Sequence, residues 1–203
     1  QARYVLPHAV AKLRSSYPKV HISLHQATPH EVARMVLDEQ AEIGMATESL
    51  ADYPDLVTLP CYEWEHVLVV PPSHPLATKE RIGLDDLAIE PLITYHPSFT
   101  GRNKIDAAFA ARQLHPRVVL EAIDSDVIKT YVRLGLGVGI VAEMAMREDP
   151  GVDLVTRPLG HLFGQSVARV AFKRGAYLRN FVYKFAETLS DRLSRDLIIR
   201  AMQ

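Results

Sequence analysis

The stretch LVTLPCYEWEHVLVVPP, residues 56 to 72, constrains this chain more than any other. It holds two apolar, strand-like runs, Leu56 to Leu59 and Val67 to Val70, joined directly with no helix between them. Before it strand and helix patterns alternate, so this direct join reads as a crossing from one α/β unit to another. Leu6 to Ser16 has helical spacing and is ended by Pro18, while Val20, Ile22 and Leu24 alternate like a half-buried strand. In TPHE, Thr28 can cap, Pro29 takes the first helical position and Glu31 completes a capping box for a helix reaching Glu39. AEIGMAT is a short buried strand ending at Thr47. Strands separated by helices pair in parallel and build an α/β sheet.

After the crossing the same grammar returns. A short helix near Leu84 to Ala88 precedes the strand PLITY, a helix opening from Arg102, the strand RVVLEA and the helix DSDVIKTYVRLG. The strands GVGIV, DLVTRPL and SVARVAF follow, and a C-terminal helix spans Leu178 to Leu189. SVARVAF leads back out of the second unit, so crossings are expected near residues 61 to 65 and 162 to 166, with both chain ends in the first unit. Ligands in open α/β sheets bind at strand carboxyl ends and the helix N-termini that follow them. A cleft between two such units gathers Thr47 from one and Ser98, Thr100 and Gly101 from the other.

The stretch SFTGRNKIDAAFAAR, from Ser98, leaves two readings open. Ser98 or Thr100 caps its own helix, or the hydroxyls and exposed helix amides hold a small anionic or zwitterionic molecule. Asp124, Ser125 and Asp126 are cap candidates for the next helix. Trp64, the only tryptophan, lies in the crossing and reads either as hinge packing or as one wall of the pocket.

Composition closes off other classes. With 203 residues and 48% hydrophobic content the chain can bury a proper core. Its net charge of -1 and lack of a Lys/Arg run argue against gripping DNA through this segment. No apolar run approaches a membrane span, and a single cysteine, Cys61, excludes an internal disulfide and suits a cytoplasmic setting. The nine histidines lack a carboxylate or thiol cluster to complete a metal shell; His21 and His25 read as a solvent-facing strand edge. LGLGVG has its helix before the glycines, the reverse of a dinucleotide fingerprint, so Gly135 reads as a helix stop and no cofactor is expected. Neither an activated nucleophile nor an acid-base pair is legible, so an enzyme is not expected.

Several segments carry a family resemblance: YVLPHAVAKLRSSYPKVHISLHQATPHEVARMVLDEQAEIGMATE, PCYEWEHVLVVPPSHPL, PLITYHPSFTGR and above all DSDVIKTYVRLGLGVGIVAEMA. Over essentially its whole length the chain resembles the effector-binding domain of LysR-type transcriptional regulators, in the subgroup of CysB and Cbl. The resemblance implies two Rossmann-like α/β subdomains joined by two crossover strands, with type II periplasmic-binding-protein topology. Subdomain I is then residues 1–62 and 165–203, and subdomain II residues 63–164. It also implies a cytoplasmic activator of sulfate assimilation and cysteine biosynthesis that answers to acetylserine, sulfate or related anions and assembles as a homodimer or homotetramer.

DNA is contacted in that family through an N-terminal winged helix-turn-helix, which this chain does not contain; a strand just before the residue matching Gln1 is likewise expected in the family. By the same resemblance Thr47, Thr100 and Gln1 match pocket residues, and Glu48, Ser98, Gly101, Trp64 and Asp124 are their neighbours. A periplasmic oxyanion-binding protein shares the topology and is the alternative; a helix-turn-helix or a secretion signal encoded upstream separates the two.

Overall fold

The computed structural model describes residues 5–147 and 153–203. Gln1, one of the expected pocket residues, lies outside them. In chain order the elements are α1 (Leu6–Ser16), α2 (Pro29–Leu37), β1 (Gly44–Ala46), β2 (Leu56–Val70), α3 (Leu84–Ala88), β3 (Pro91–Tyr95), α4 (Thr100–Ala111), β4 (Arg117–Ala122) and α5 (Ser125–Arg133). They continue with β5 (Val138–Ala142), α6 (Met144–Arg147), β6 (Val155–Pro158), α7 (Gly160–Phe163), β7 (Gln165–Lys173), α8 (Asn180–Leu189) and α9 (Arg195–Met202). The two apolar runs around Cys61 form one continuous strand of 15 residues.

The chain divides into two compact units, Gln1–Glu63 with Val167–Gln203, and Trp64–Ser166. Strands β2 and β7 each pass from one to the other. In the first unit β7 lies between β1 and β2, and β1 runs antiparallel to it, with Met45 opposite Val170. Helices α1 and α8 pack together, burying Ala9 and Leu13 with Val182, Phe185 and Ala186 against Val170 and Phe172 of β7. Cys61 belongs to this core; burial pushes its thiol up to about 11, against the opposing influence of Ser190 and Arg192.

Helix α2 begins as its sequence dictates. The Thr28 hydroxyl accepts from the Glu31 amide at 3.4 Å, and the Glu31 carboxylate accepts from the Thr28 amide at 2.8 Å. The helix stops at Leu37, two residues short of the expected Glu39, because Glu39 sits in the left-handed region with φ 59°.

The stretch Val20, Ile22 and Leu24 is not a strand, and His21 and His25 therefore mark no strand edge. Alternation alone makes no ladder: residues 20 to 28 have no strand partner among the described residues, and Leu24 is 53% exposed. Helix α9, absent from the sequence expectation, starts at Ser194, whose hydroxyl accepts from the Leu197 amide at 3.2 Å.

In the second unit the strand order is β2, β5, β3, β4, with β6 on the other side of β2. Strand β3 runs parallel to both β4 and β5, whereas β2 is antiparallel to β5 and β6. Leu68, Leu92, Ile105, Phe109 and Ile140 form the core between sheet and helices. The path β3, α4, β4, α5, β5 places β4 on one side of β3 and β5 on the other. The chain thus changes winding direction at β3, the topological switch point at which open α/β sheets bind their ligands. Gly135 stops α5 with φ 77°, as its place in LGLGVG implies, and Gly137 lets the chain approach β3 so closely that a Cβ there would stand 2.2 Å from the Pro91 carbonyl oxygen. These glycines serve backbone packing.

Candidate functional site

Strand β3 ends at Tyr95, whose hydroxyl bonds Ser125 Oγ at 2.7 Å and accepts from the Ala142 amide at 2.8 Å. One phenol thus ties the ends of β3 and β5 to the start of α5 at the switch point. The turn from His96 then delivers α4. Phe99 occupies the N-cap of α4, with no side-chain cap hydrogen bond. The Ser98 hydroxyl instead meets His96 Nδ1 at 2.9 Å, and that nitrogen also accepts from the Ser98 amide at 3.2 Å. Ser98 is thus not the N-cap of α4. The helix enters its first turn at Thr100, half-buried, two residues earlier than expected.

What lies beneath the helix start explains Gly101. A Cβ added there would stand 3.0 Å from His66 Nε2 and 3.2 Å from Trp64 Cη2, so glycine lets the first turn rest on those rings where a larger residue would press against them. Trp64 meets His66 edge-on at a centroid distance of 5.0 Å, and His66 meets Phe163 at 5.7 Å. Trp64 is buried, and its indole N–H has no hydrogen-bond partner. The reading of Trp64 as packing is thus realised beneath α4, while its polar end is left over.

Arg102 is the residue that sequence reasoning left in an ordinary first turn. It is 8% exposed, and its guanidinium donates to Asp106 at 2.7 Å, to Glu121 at 2.8 Å and to the Tyr95 carbonyl at 2.8 Å. Burial pulls its pKa down, but hydrogen bonds and charge from Asp106 and Glu121 outweigh this and hold it above the ordinary value. Its charge is directed inward, bracing α4 against β3 and β4. Lys129 behaves alike: buried on α5, it pairs with Asp126 at 2.7 Å and donates to the Ala145 carbonyl at 2.9 Å. Asp106 is one helical turn away on α4, whereas Glu121 comes from strand β4.

Asp124 caps α5, accepting from the Asp126 amide at 2.7 Å. Strands β3 and β4 are neighbours, so α4 and α5 start side by side, the His96 amide donating to the Ala122 carbonyl at 3.1 Å. Ser98, Thr100, Gly101 and Trp64 are thereby brought to one end of the second unit's sheet. In the first unit Thr47 follows β1, half-buried, at the N-cap of a 3-10 turn, Glu48–Asp52, without a side-chain cap bond. Glu48 accepts from the Val167 amide of β7 at 3.2 Å. Among the described residues no cluster of His, Cys, Asp and Glu is arranged to hold a metal ion, and no helix is long and apolar enough to cross a membrane.

The second unit is doubly wound, with helices starting at its switch point, and strands β2 and β7 connect it to the first unit. The chain belongs to the LysR substrate binding domain family, whose model matches residues 1–194. The family senses ligands and is not enzymatic. The chain is 54% identical over 203 residues to the HTH-type transcriptional regulator CysB of Burkholderia cenocepacia, covering 100% of this chain and 65% of that protein. It is 43% identical over 200 residues to the HTH-type transcriptional regulator cbl of Escherichia coli, covering 98% and 63%.

Among solved structures, the cofactor-binding domain of the Cbl transcriptional regulator superposes with a TM-score of 0.92 at 42% identity, covering 100% of this chain and 90% of that one. The type II periplasmic-binding-protein topology of such domains is the fold class that the resemblance implies. The chain spans a little under two thirds of the length of the curated relatives it matches, 65% and 63% for these two.

Proposed function

We propose that this chain is the effector-sensing domain of a CysB-like LysR-type transcriptional regulator, cytoplasmic, controlling sulfate assimilation and cysteine biosynthesis. Its effector is acetylserine, sulfate or a related anion, and its ligand determinants are Thr47 and Glu48 on one unit and Ser98, Thr100 and Gly101 on the other, with Trp64, Asp124 and Gln1 as neighbours. Residues 1–62 and 165–203, and 63–164, act as its two regulatory subdomains. It works as a homodimer or homotetramer, with DNA contacted by an N-terminal winged helix-turn-helix in the full-length protein.

The observation that carries this reading is the start of α4: a twelve-residue helix at a topological switch point whose N-cap offers no side-chain acceptor to its first amides. Such an end favours an anion. The inward pairing of Arg102 leaves hydroxyls and amides as the donors there, which suits a ligand that must be released again. The 54% identity to a CysB regulator supports the family role.

A ligand shifts such a domain only by its differential affinity for two arrangements. Isothermal titration of the chain with sulfate and with acetylserine tests the reading: saturable binding of at least one is expected, and no heat from either at millimolar concentration sinks it.

A further inference from the structure

We infer that Ser166, acting with the indole N–H of Trp64, is a further binding residue for the polar guest at the start of α4. The inference rests on the effector-sensing reading. Ser166 is 1% exposed, and its hydroxyl has no hydrogen-bond partner; the same holds for the Trp64 N–H in a residue 5% exposed. Buried polar groups almost always find partners, because each left without one forfeits its hydration with nothing in return. Two such groups in one unit point to a partner that comes and goes.

The backbone brings them together. Trp64 and Ser166 are the first and last residues of the second unit, on β2 and β7. Their neighbours Glu65 and Gln165 are joined by a side-chain hydrogen bond at 3.3 Å. Successive side chains on a strand point to opposite faces, so Glu65 and Gln165 share one face and Trp64 and Ser166 share the other. That second face is the one on which Gly101 rests, since Trp64 Cη2 stands 3.2 Å from where a Gly101 Cβ would be. The Gln165 carbonyl is itself held by Lys104 of α4, so the start of β7 is fastened to the helix that presents Thr100.

The chemistry suits a small oxyanion or carboxylate. An indole N–H only donates, whereas a serine hydroxyl donates or accepts and rotates to fit, so the pair serves either an anion oxygen or a ligand hydroxyl. Neither group carries charge, in keeping with the neutral donors around Thr100.

The test is Ser166→Ala with Trp64→Phe, which keeps an aromatic ring and removes the N–H, each titrated with sulfate and with acetylserine beside the unmodified chain. Affinity for the effector that the unmodified chain binds is expected to fall about tenfold in each variant. The ligand-free melting temperature of Ser166→Ala is expected to stay level or rise, because the alanine removes a hydroxyl with no partner. Variants that bind as tightly as the unmodified chain overturn the inference and leave the effector-sensing reading standing, as does a lower melting temperature with unchanged affinity, the mark of a purely structural hydroxyl. An unmodified chain that binds neither probe overturns both.

Discussion

Helices α2 and α4 begin in opposite ways. At α2 a threonine and a glutamate close the first turn reciprocally, with Pro29 in the first helical position. At α4 a phenylalanine stands at the N-cap, the nearby serine turns away to His96, and the chain instead invests in the floor beneath the helix, where Gly101 meets Trp64 and His66 and Arg102 meets Glu121. Helices α1 and α8 also start without a side-chain cap bond; what sets α4 apart is its place at the switch point, where the reading proposed above puts the effector.

The largest effect expected from breaking this contrast is at the floor of α4. Arg102→Ala removes hydrogen bonds to two carboxylates and a carbonyl, and should lower unfolding stability by about 2 kcal/mol, seen as a lower urea midpoint with effector binding weakened as well. Thr100→Ala comes next and separates the two helices most cleanly. Effector affinity should drop about tenfold, about 1.4 kcal/mol, while the urea midpoint barely moves; the reverse result assigns Thr100 to the fold.

Thr28→Ala should show the opposite pattern, a stability loss of about 1 kcal/mol with unchanged titration curves. The smallest effect is on pH. The Glu31 carboxyl is held below its ordinary value, first by the Thr28 amide and then by the Thr28 hydroxyl. A lowered folded-state pKa contributes stability that is fully present above the unfolded glutamate value, about 4.3, and is lost as pH falls through the folded one. Acid titration of unfolding should show a slight extra decline below about pH 4.3, which Thr28→Ala should reduce without abolishing, because the residue 28 amide that is its first cause remains.

The alternation of elements, the capping box at Thr28 and the helix stop at Gly135 were legible because each is set by residues within one or two turns of one another. Legibility failed where the partner lay far along the chain. Val20, Ile22 and Leu24 alternate properly, yet a strand is made by a neighbour and not by a pattern. Arg102 carries no mark of burial until Glu121, 19 residues on, comes beside it.

The placement of Thr100 and Gly101 at a helix start came from local residues, but what Gly101 rests on did not, since Trp64 and His66 belong to a strand some 35 residues earlier. Ser166 was missed for the same reason. A serine in an apolar strand gives no sign that its hydroxyl will be buried without a partner. The short helix at Ser194 did carry a local signal, a hydroxyl cap ahead of DLIIRAM, that went unread.

The tucked-away sulfur of Cys61 has a practical corollary. It is the only thiol in the sequence, and burial raises its pKa to about 11, so at neutral pH it offers almost no thiolate to an alkylating dye. The native protein is therefore a silent background for fluorescence work: Asn103→Cys, at an exposed position in the first turn of α4, gives a single reactive handle close to the proposed site without first deleting the natural cysteine.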